Sequence, residues 1–148
     1  MAEINHRVGV GCTADKVYSA LTTDEGLAHW WTWDVSGAGP EGAVIAFRFH
    51  GKGPDFKVVE LKPGKLVRWR HSGSMPSDWV GTEISFQLNE VDEQTFVRFR
   101  HSGWQESSDF MAHCSTKWAV FLLSLKSALE TGKGRPFPDD LHIDHTEC

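Results

Sequence analysis

The sequence has few cysteines, no excess of positive charge and no long apolar run. Its three cysteines, Cys12, Cys114 and Cys148, lie far apart and form no C-x-x-C pair. An odd number of widely spaced cysteines favours reduced thiols over a disulfide framework. Because the first residues are also charged and contain no apolar block, we expect no secretory signal and a cytoplasmic protein.

Charge and hydropathy exclude two further classes. The net charge is −5, so the chain lacks the general attraction to phosphates on which nucleic-acid-binding proteins rely. No apolar run approaches the roughly 18 residues that a membrane span requires. We therefore expect neither a nucleic-acid partner nor a membrane span. The length of 148 residues suits a single domain with one hydrophobic core.

Tyrosine is nearly absent, whereas the other aromatic residues are abundant. A single Tyr accompanies seven Trp and nine Phe. So many large rings with so few polar groups are typical either of an aromatic-rich core or of an apolar binding cavity. Composition alone leaves both interpretations open.

The first two thirds of the chain predict a sheet with two short helices near its start. Residues 4–11 alternate as a strand with one buried face. Thr13 and then Thr23 or Asp24 begin two short helical segments, which lead into Trp30 and Trp31. Five further stretches alternate with a period of two, and a Lys62-Pro63-Gly64-Lys65 turn separates two of them. These stretches are 43–50, 56–61, 66–72, 82–90 and 95–103.

From Asp109 to Gly132 the apolar residues recur every 3.6 positions, which predicts a helix of about 24 residues. Ser107 or Ser108 would cap its start and Gly132 its end. The element order predicts an α+β fold, in which a curved antiparallel sheet of about six strands wraps around this long C-terminal helix. We expect residues 1–133 to form a single domain and residues 134–148 a C-terminal tail.

Three stretches of the chain resemble one known family. They read ADKVYSALTT before LAHWW, VVELKPGKLVRW, and WAVFLLSLK before LETG. Their order and spacing resemble the START-like, or SRPBCC, superfamily, and within it the branch named for the activator of the heat-shock protein 90 ATPase. The resemblance covers roughly residues 4–133. It implies the helix-grip fold, with a cavity between sheet and helix suited to hydrophobic or amphipathic small molecules.

Two predicted strands end in the same pattern of Arg, aromatic, Arg, His, Ser and Gly, at 68–73 and 98–103. If both flank the 82–90 strand, they run parallel, and His71 and His101 face inward at one end of the sheet. The long helix brings His113 to that end. We expect these histidines and the inward rings to contact a ligand. The predicted ligand-binding residues are Trp30, Phe47, Phe49, Trp69, His71, Phe86, Phe99, His101, His113, Trp118 and Phe121.

The histidines admit three interpretations. They could be polar anchors for a ligand, one of them could act as a general acid or base, or they could be hydrogen-bonded residues at strand ends. No HxH, HxxxH or HExxH spacing surrounds them, so we expect no metal and no cofactor. We assign no catalytic residue.

The leading functional hypothesis is binding of a hydrophobic or aromatic small molecule between the sheet and the C-terminal helix. One alternative is an enzyme, such as a cyclase, dehydratase or hydrolase, acting on such a ligand. Another is a co-chaperone or protein-interaction module. The resembled superfamily includes lipid carriers, hormone receptors, cyclases and co-chaperone domains, so it does not single out one of these. A homodimer is a further option.

Overall fold

The computed structural model describes residues 2–145, in which seven strands, two short helices and one long helix follow one another. The elements are β1 Ala2–Val10, α1 Ala14–Thr22, α2 Asp24–Ala28, β2 Asp34–Ser36, β3 Val44–Arg48, β4 Asp55–Lys62, β5 Leu66–His71, β6 Glu83–Val91, β7 Gln94–Trp104 and α3 Asp109–Thr131. A 3₁₀ turn at Ser77–Trp79 lies between β5 and β6.

The strands form one curved antiparallel sheet in the order β1-β7-β6-β5-β4-β3-β2. The predicted α+β helix-grip fold is confirmed, including the two short helices after the first strand. The sheet has seven strands instead of about six because Asp34–Ser36 pairs with β3. Three residues are too few for an alternating pattern to be recognised, and the glycines that follow made this stretch resemble a turn.

Alternation along the strands separates the buried face of the sheet from the exposed one. On β5, Val67, Trp69 and His71 are buried, as the period of two predicted. On the other face Arg68 bonds Glu60 and Glu83 on the neighbouring strands, at 3.1 and 3.0 Å. The outward charges therefore form cross-strand pairs over a solvated surface.

The helix α3 begins and ends at the residues that the sequence indicated. The Ser108 hydroxyl accepts a hydrogen bond from the Met111 backbone N–H at 3.1 Å, and Gly132 adopts a left-handed conformation with φ of 80°. Trp118 faces the sheet, where its ring centroid lies 4.6 Å from that of Phe99. None of the helices within residues 2–145 combines the length and hydropathy that a membrane span would need.

Beyond α3 the chain folds back towards the second helix. The Phe137 backbone N–H donates to the Trp31 carbonyl at 2.7 Å, and the Phe137 carbonyl accepts from the Trp33 N–H at 3.3 Å. The division into a domain of residues 1–133 and a tail of residues 134–148 stays a prediction. Residues 146–148 of that tail lie outside the described part of the chain.

Candidate functional site

Interlocking aromatic rings fill much of the space between the sheet and α3. Phe86 lies at their centre, with ring centroids 6.2 Å from Trp30, 5.3 Å from Trp69 and 5.3 Å from Phe99. Phe47 packs against Trp69 at 5.6 Å. All five side chains are fully buried. This part of the interior is therefore core.

A partly enclosed cavity of about 430 Å³ opens where α3 begins. Four segments supply its walls: the β3–β4 turn, the loop after β5, the first half of α3 and the returning tail. Their lining residues are 49, 50 and 52–54, then 75, 76 and 79, then 110, 113, 114, 117, 118 and 121, and finally 137, 138, 140 and 142–144. Trp31, in the turn after α2, completes the wall. The cavity thus lies at one end of the sheet–helix space.

The structure divides the eleven predicted ligand-binding residues between these two regions. Four of them line the cavity: Phe49, His113, Trp118 and Phe121. The other seven lie in the interior away from its wall: Trp30, Phe47, Trp69, His71, Phe86, Phe99 and His101. Contact between any of the eleven and a ligand stays a prediction.

Trp31 lines the cavity, whereas the prediction named its neighbour Trp30. The Trp31 ring stacks parallel to Trp69 at 6.4 Å and lies 4.9 Å from Trp118. Both tryptophans lie in the turn after α2, where their rings stack at 6.0 Å, and Trp31 is the one on the cavity side. Sequence reasoning also left Trp79 and Lys117 out of the ligand set, although both lie on the wall.

His101 belongs to a continuous chain of hydrogen bonds in the core. Trp118 Nε1 donates to His101 Nδ1 at 3.2 Å, so the ring proton resides on Nε2, which donates to the Thr82 hydroxyl at 2.9 Å. The Thr82 hydroxyl donates in turn to the Trp79 carbonyl at 2.6 Å. Burial, with a smaller contribution from His71, lowers the pKa of His101 to about 3. Its ring is therefore neutral near pH 7 and has no free nitrogen.

His71 is placed differently from its sequence counterpart. Ile84 of β6 lies opposite both Trp69 and His101, so His71 extends two residues further along its strand than His101 does. His71 Nε2 donates to the Met75 carbonyl at 2.7 Å. Its Nδ1 is buried, and no residue within 2–145 bonds it.

Two basic side chains of α3 on the cavity wall pair with acids of the tail. Lys117 forms a buried ion pair with Asp140 and also donates to the Leu141 carbonyl at 3.0 Å. Its ammonium lies 5.0 Å from the centroid of the Phe121 ring. One helical turn earlier, His113 Nδ1 donates to Asp144 at 3.0 Å.

The cavity wall is mainly apolar. Apolar rings provide most of the surface, and a few polar groups at one side could orient a ligand. Across residues 2–145, no three His, Cys, Asp or Glu side chains are grouped so that they could hold a metal ion.

Comparison with known proteins adds a family and a fold. The family model described as "Activator of Hsp90 ATPase homolog 1-like protein" matches residues 11–130. The solution structure of the Aha1 dimer from Colwellia psychrerythraea is 65% identical in sequence, with a TM-score of 0.85. That match covers 90% of this chain and 100% of the other.

More distant structures share the fold alone. The protein SSP2350 from Staphylococcus saprophyticus is 18% identical with a TM-score of 0.75, covering 91% of this chain and 97% of its own. CalU16 from Micromonospora echinospora is 18% identical with a TM-score of 0.71, covering 84% and 72%. No curated protein matches the chain.

Proposed function

Because the chain belongs to the family described as "Activator of Hsp90 ATPase homolog 1-like protein", a branch of the START-like (SRPBCC) superfamily, we propose that it binds a hydrophobic or aromatic small molecule. One observation carries this proposal: the cavity of about 430 Å³ at the start of α3, lined by aromatic side chains. Cavities that bind drug-sized ligands measure roughly 300–1,000 Å³ and are mainly apolar. The size and the lining therefore both fit such a ligand.

We propose that the ligand lies against Trp118 and Phe121 of α3, with Phe49, Trp31 and Trp79 around it. The rings of the packed interior would then hold these walls in position from behind. Burying one aromatic ring of a ligand contributes about 2–3 kcal/mol, so several such contacts allow micromolar affinity.

The seven tryptophans supply the test, because each indole N–H gives its own signal in a nitrogen-15 NMR spectrum. We expect titration with the neutral fluorophore N-phenyl-1-naphthylamine to shift the signals of Trp31, Trp79 and Trp118, which line the cavity. The signal of Trp30, buried in the packed core, should move least. Trp33, which is 65% exposed, reports on binding to the surface.

A matched pair of substitutions locates the binding. Cys114 lines the cavity, whereas Cys12 does not, so Cys114→Phe should reduce the affinity for the probe and Cys12→Phe should leave it unchanged. Thermal unfolding of both variants checks that they remain folded. If only Trp33 shifts, or if the two variants bind equally, the cavity is not the binding site.

The enzymatic alternative is not supported at His101, the most deeply buried of the predicted histidines. A general acid or base needs a ring nitrogen that can exchange a proton, and both nitrogens of His101 are engaged in the core. The function that we propose is binding without turnover.

We also propose that the chain forms a homodimer in the cytoplasm. The relative from Colwellia psychrerythraea, 65% identical, is described as a dimer. Cys12 and Cys114 form no disulfide within residues 2–145, which is typical of proteins in a reducing compartment. Light scattering after size-exclusion chromatography should give a mass near twice 16.6 kDa; a mass of one chain at all concentrations would contradict the dimer.

A further inference from the structure

The tail contacts α3 through two acid–base pairs with the same spacing. Asp140 pairs with Lys117, and Asp144 pairs with His113. The two basic residues lie four positions apart on the helix, and so do the two acids on the tail. One side of α3 at the cavity therefore presents basic groups one turn apart, and the tail covers them with carboxylates.

The charge of the wall depends on this tail. Within residues 2–145, the acidic side chains that line the cavity are Asp140 and Asp144, both from the tail. The cavity-lining residues outside the tail include Lys52, Lys117 and two histidines, but no acid. Without the tail's carboxylates, the cavity would thus be apolar with a positive side.

The Lys117–Asp140 pair is incompletely satisfied. Both side chains are buried, and Asp140 Oδ1 has no hydrogen-bond partner among residues 2–145. A buried carboxylate that uses one oxygen only is held less firmly than one bonded through both. Lys117, however, cannot lose its partner without another, because an unpaired buried ammonium is strongly unfavourable. An anion that replaces Asp140 would meet both conditions.

We propose that the cavity takes an apolar, ring-containing molecule with one anionic group, which pairs with Lys117 in the position that Asp140 now occupies. The inference rests on the proposed function and adds the class of ligand. The apolar body would lie on Trp118 and Phe121, and the anion would reach the ammonium beside the Phe121 ring. Asp140 is then an internal stand-in for the ligand's own charge.

Two fluorophores with the same ring skeleton test this directly. 8-Anilino-1-naphthalenesulfonate carries a sulfonate that N-phenyl-1-naphthylamine lacks. Asp140→Asn removes the competing carboxylate, so it should increase the affinity for the sulfonate by about fivefold or more while changing that for the neutral probe by less than about threefold. Lys117→Met should decrease the affinity for the sulfonate by about tenfold, again with little effect on the neutral probe.

Two further variants keep the result interpretable. Lys117→Met/Asp140→Asn removes both charges and leaves no buried ion unpaired in the protein, so it should lose the gain in affinity for the sulfonate that Asp140→Asn shows. Lys62→Met changes a lysine outside the cavity lining and should match the unmodified protein. The indole signals of Trp79 and Trp118 show that each probe occupies the cavity.

The outcomes distinguish the inference of an anionic ligand from the proposed binding function on which it rests. If both probes enter the cavity but Asp140→Asn leaves their affinity ratio unchanged, or Lys117→Met weakens both equally, the anionic ligand is wrong and the binding function stands. If neither probe shifts the cavity tryptophans, the binding function itself fails.

Discussion

The two ends of the space between the sheet and α3 both contain Trp and Phe rings but differ in packing. At one end Phe86 is enclosed by Trp30, Trp69 and Phe99. At the other, Trp118 and Phe121 face a cavity of about 430 Å³. A short helix closes the first end, whereas turns and the tail surround the second. Whether rings form a core or a cavity wall is thus decided by the backbone that faces them.

The largest expected effect is the difference in stability loss between a substitution at the packed end and one at the cavity. Phe86→Ala should lower the free energy of unfolding by about 3–5 kcal/mol, because it leaves a void among fully buried rings. Phe49→Ala removes the same ring from the half-buried cavity wall and should cost only about 1–2 kcal/mol. Urea denaturation of both variants measures the difference.

Equal losses for the two substitutions would remove the distinction between the packed end and the open end. Affinity for the probe should rank the two variants in the opposite order. Phe86→Ala should bind N-phenyl-1-naphthylamine with nearly unchanged affinity under conditions where it is folded, while Phe49→Ala should bind it more weakly.

Acid should destabilise the folded protein through His101, which lies directly behind the cavity wall. Its pKa is lowered from 6.5 to about 3 in the folded protein, so between these values the unfolded chain binds a proton that the folded chain does not. The stabilisation is complete above about pH 6.5 and is lost as the pH falls towards 3. Between pH 7 and pH 5, His101 should account for a loss of about 2 kcal/mol in the free energy of unfolding.

His101→Gln tests this value, and His29→Gln, at an exposed histidine, is its control. The glutamine variant should be less stable at pH 7 but lose less stability on acidification, whereas His29→Gln should retain the pH dependence of the unmodified protein. Urea denaturation at pH 7, 6 and 5 gives the three slopes. Parallel slopes for all three proteins would show that His101 is not the group responsible.

Local periodicity was sufficient for the elements and for most buried positions. Trp69, Phe86 and Phe99 are inward and buried because a strand has a fixed period of two. Ser108 caps α3 because its hydroxyl satisfies a backbone N–H that the helix leaves free. Both rules act within a few residues, so a sequence displays them.

The position of the cavity could not be predicted in this way. It depends on the total volume of side chains that four distant segments bring to one place, and no local pattern records that sum. The contribution of Asp140 was missed for the same reason, since its partner Lys117 lies 23 residues away on another segment. The choice between Trp30 and Trp31 depended on the conformation of the turn after α2, where both residues lie.

The smallest expected change in stability is at Trp33, which we compare with the nearby core residue Trp30. Trp30 is fully buried and its Nε1 donates to the Ala20 carbonyl at 3.0 Å, so Trp30→Phe should cost about 2–3 kcal/mol. Trp33→Phe, at a side chain 65% exposed, should change the free energy of unfolding by less than about 0.5 kcal/mol. Iodide quenching reports the same contrast, because an exposed indole is accessible to the ion and a core indole is not. Trp33→Phe should therefore remove much of the quenchable fluorescence, and a large stability loss at Trp33 instead would mean that another surface covers it.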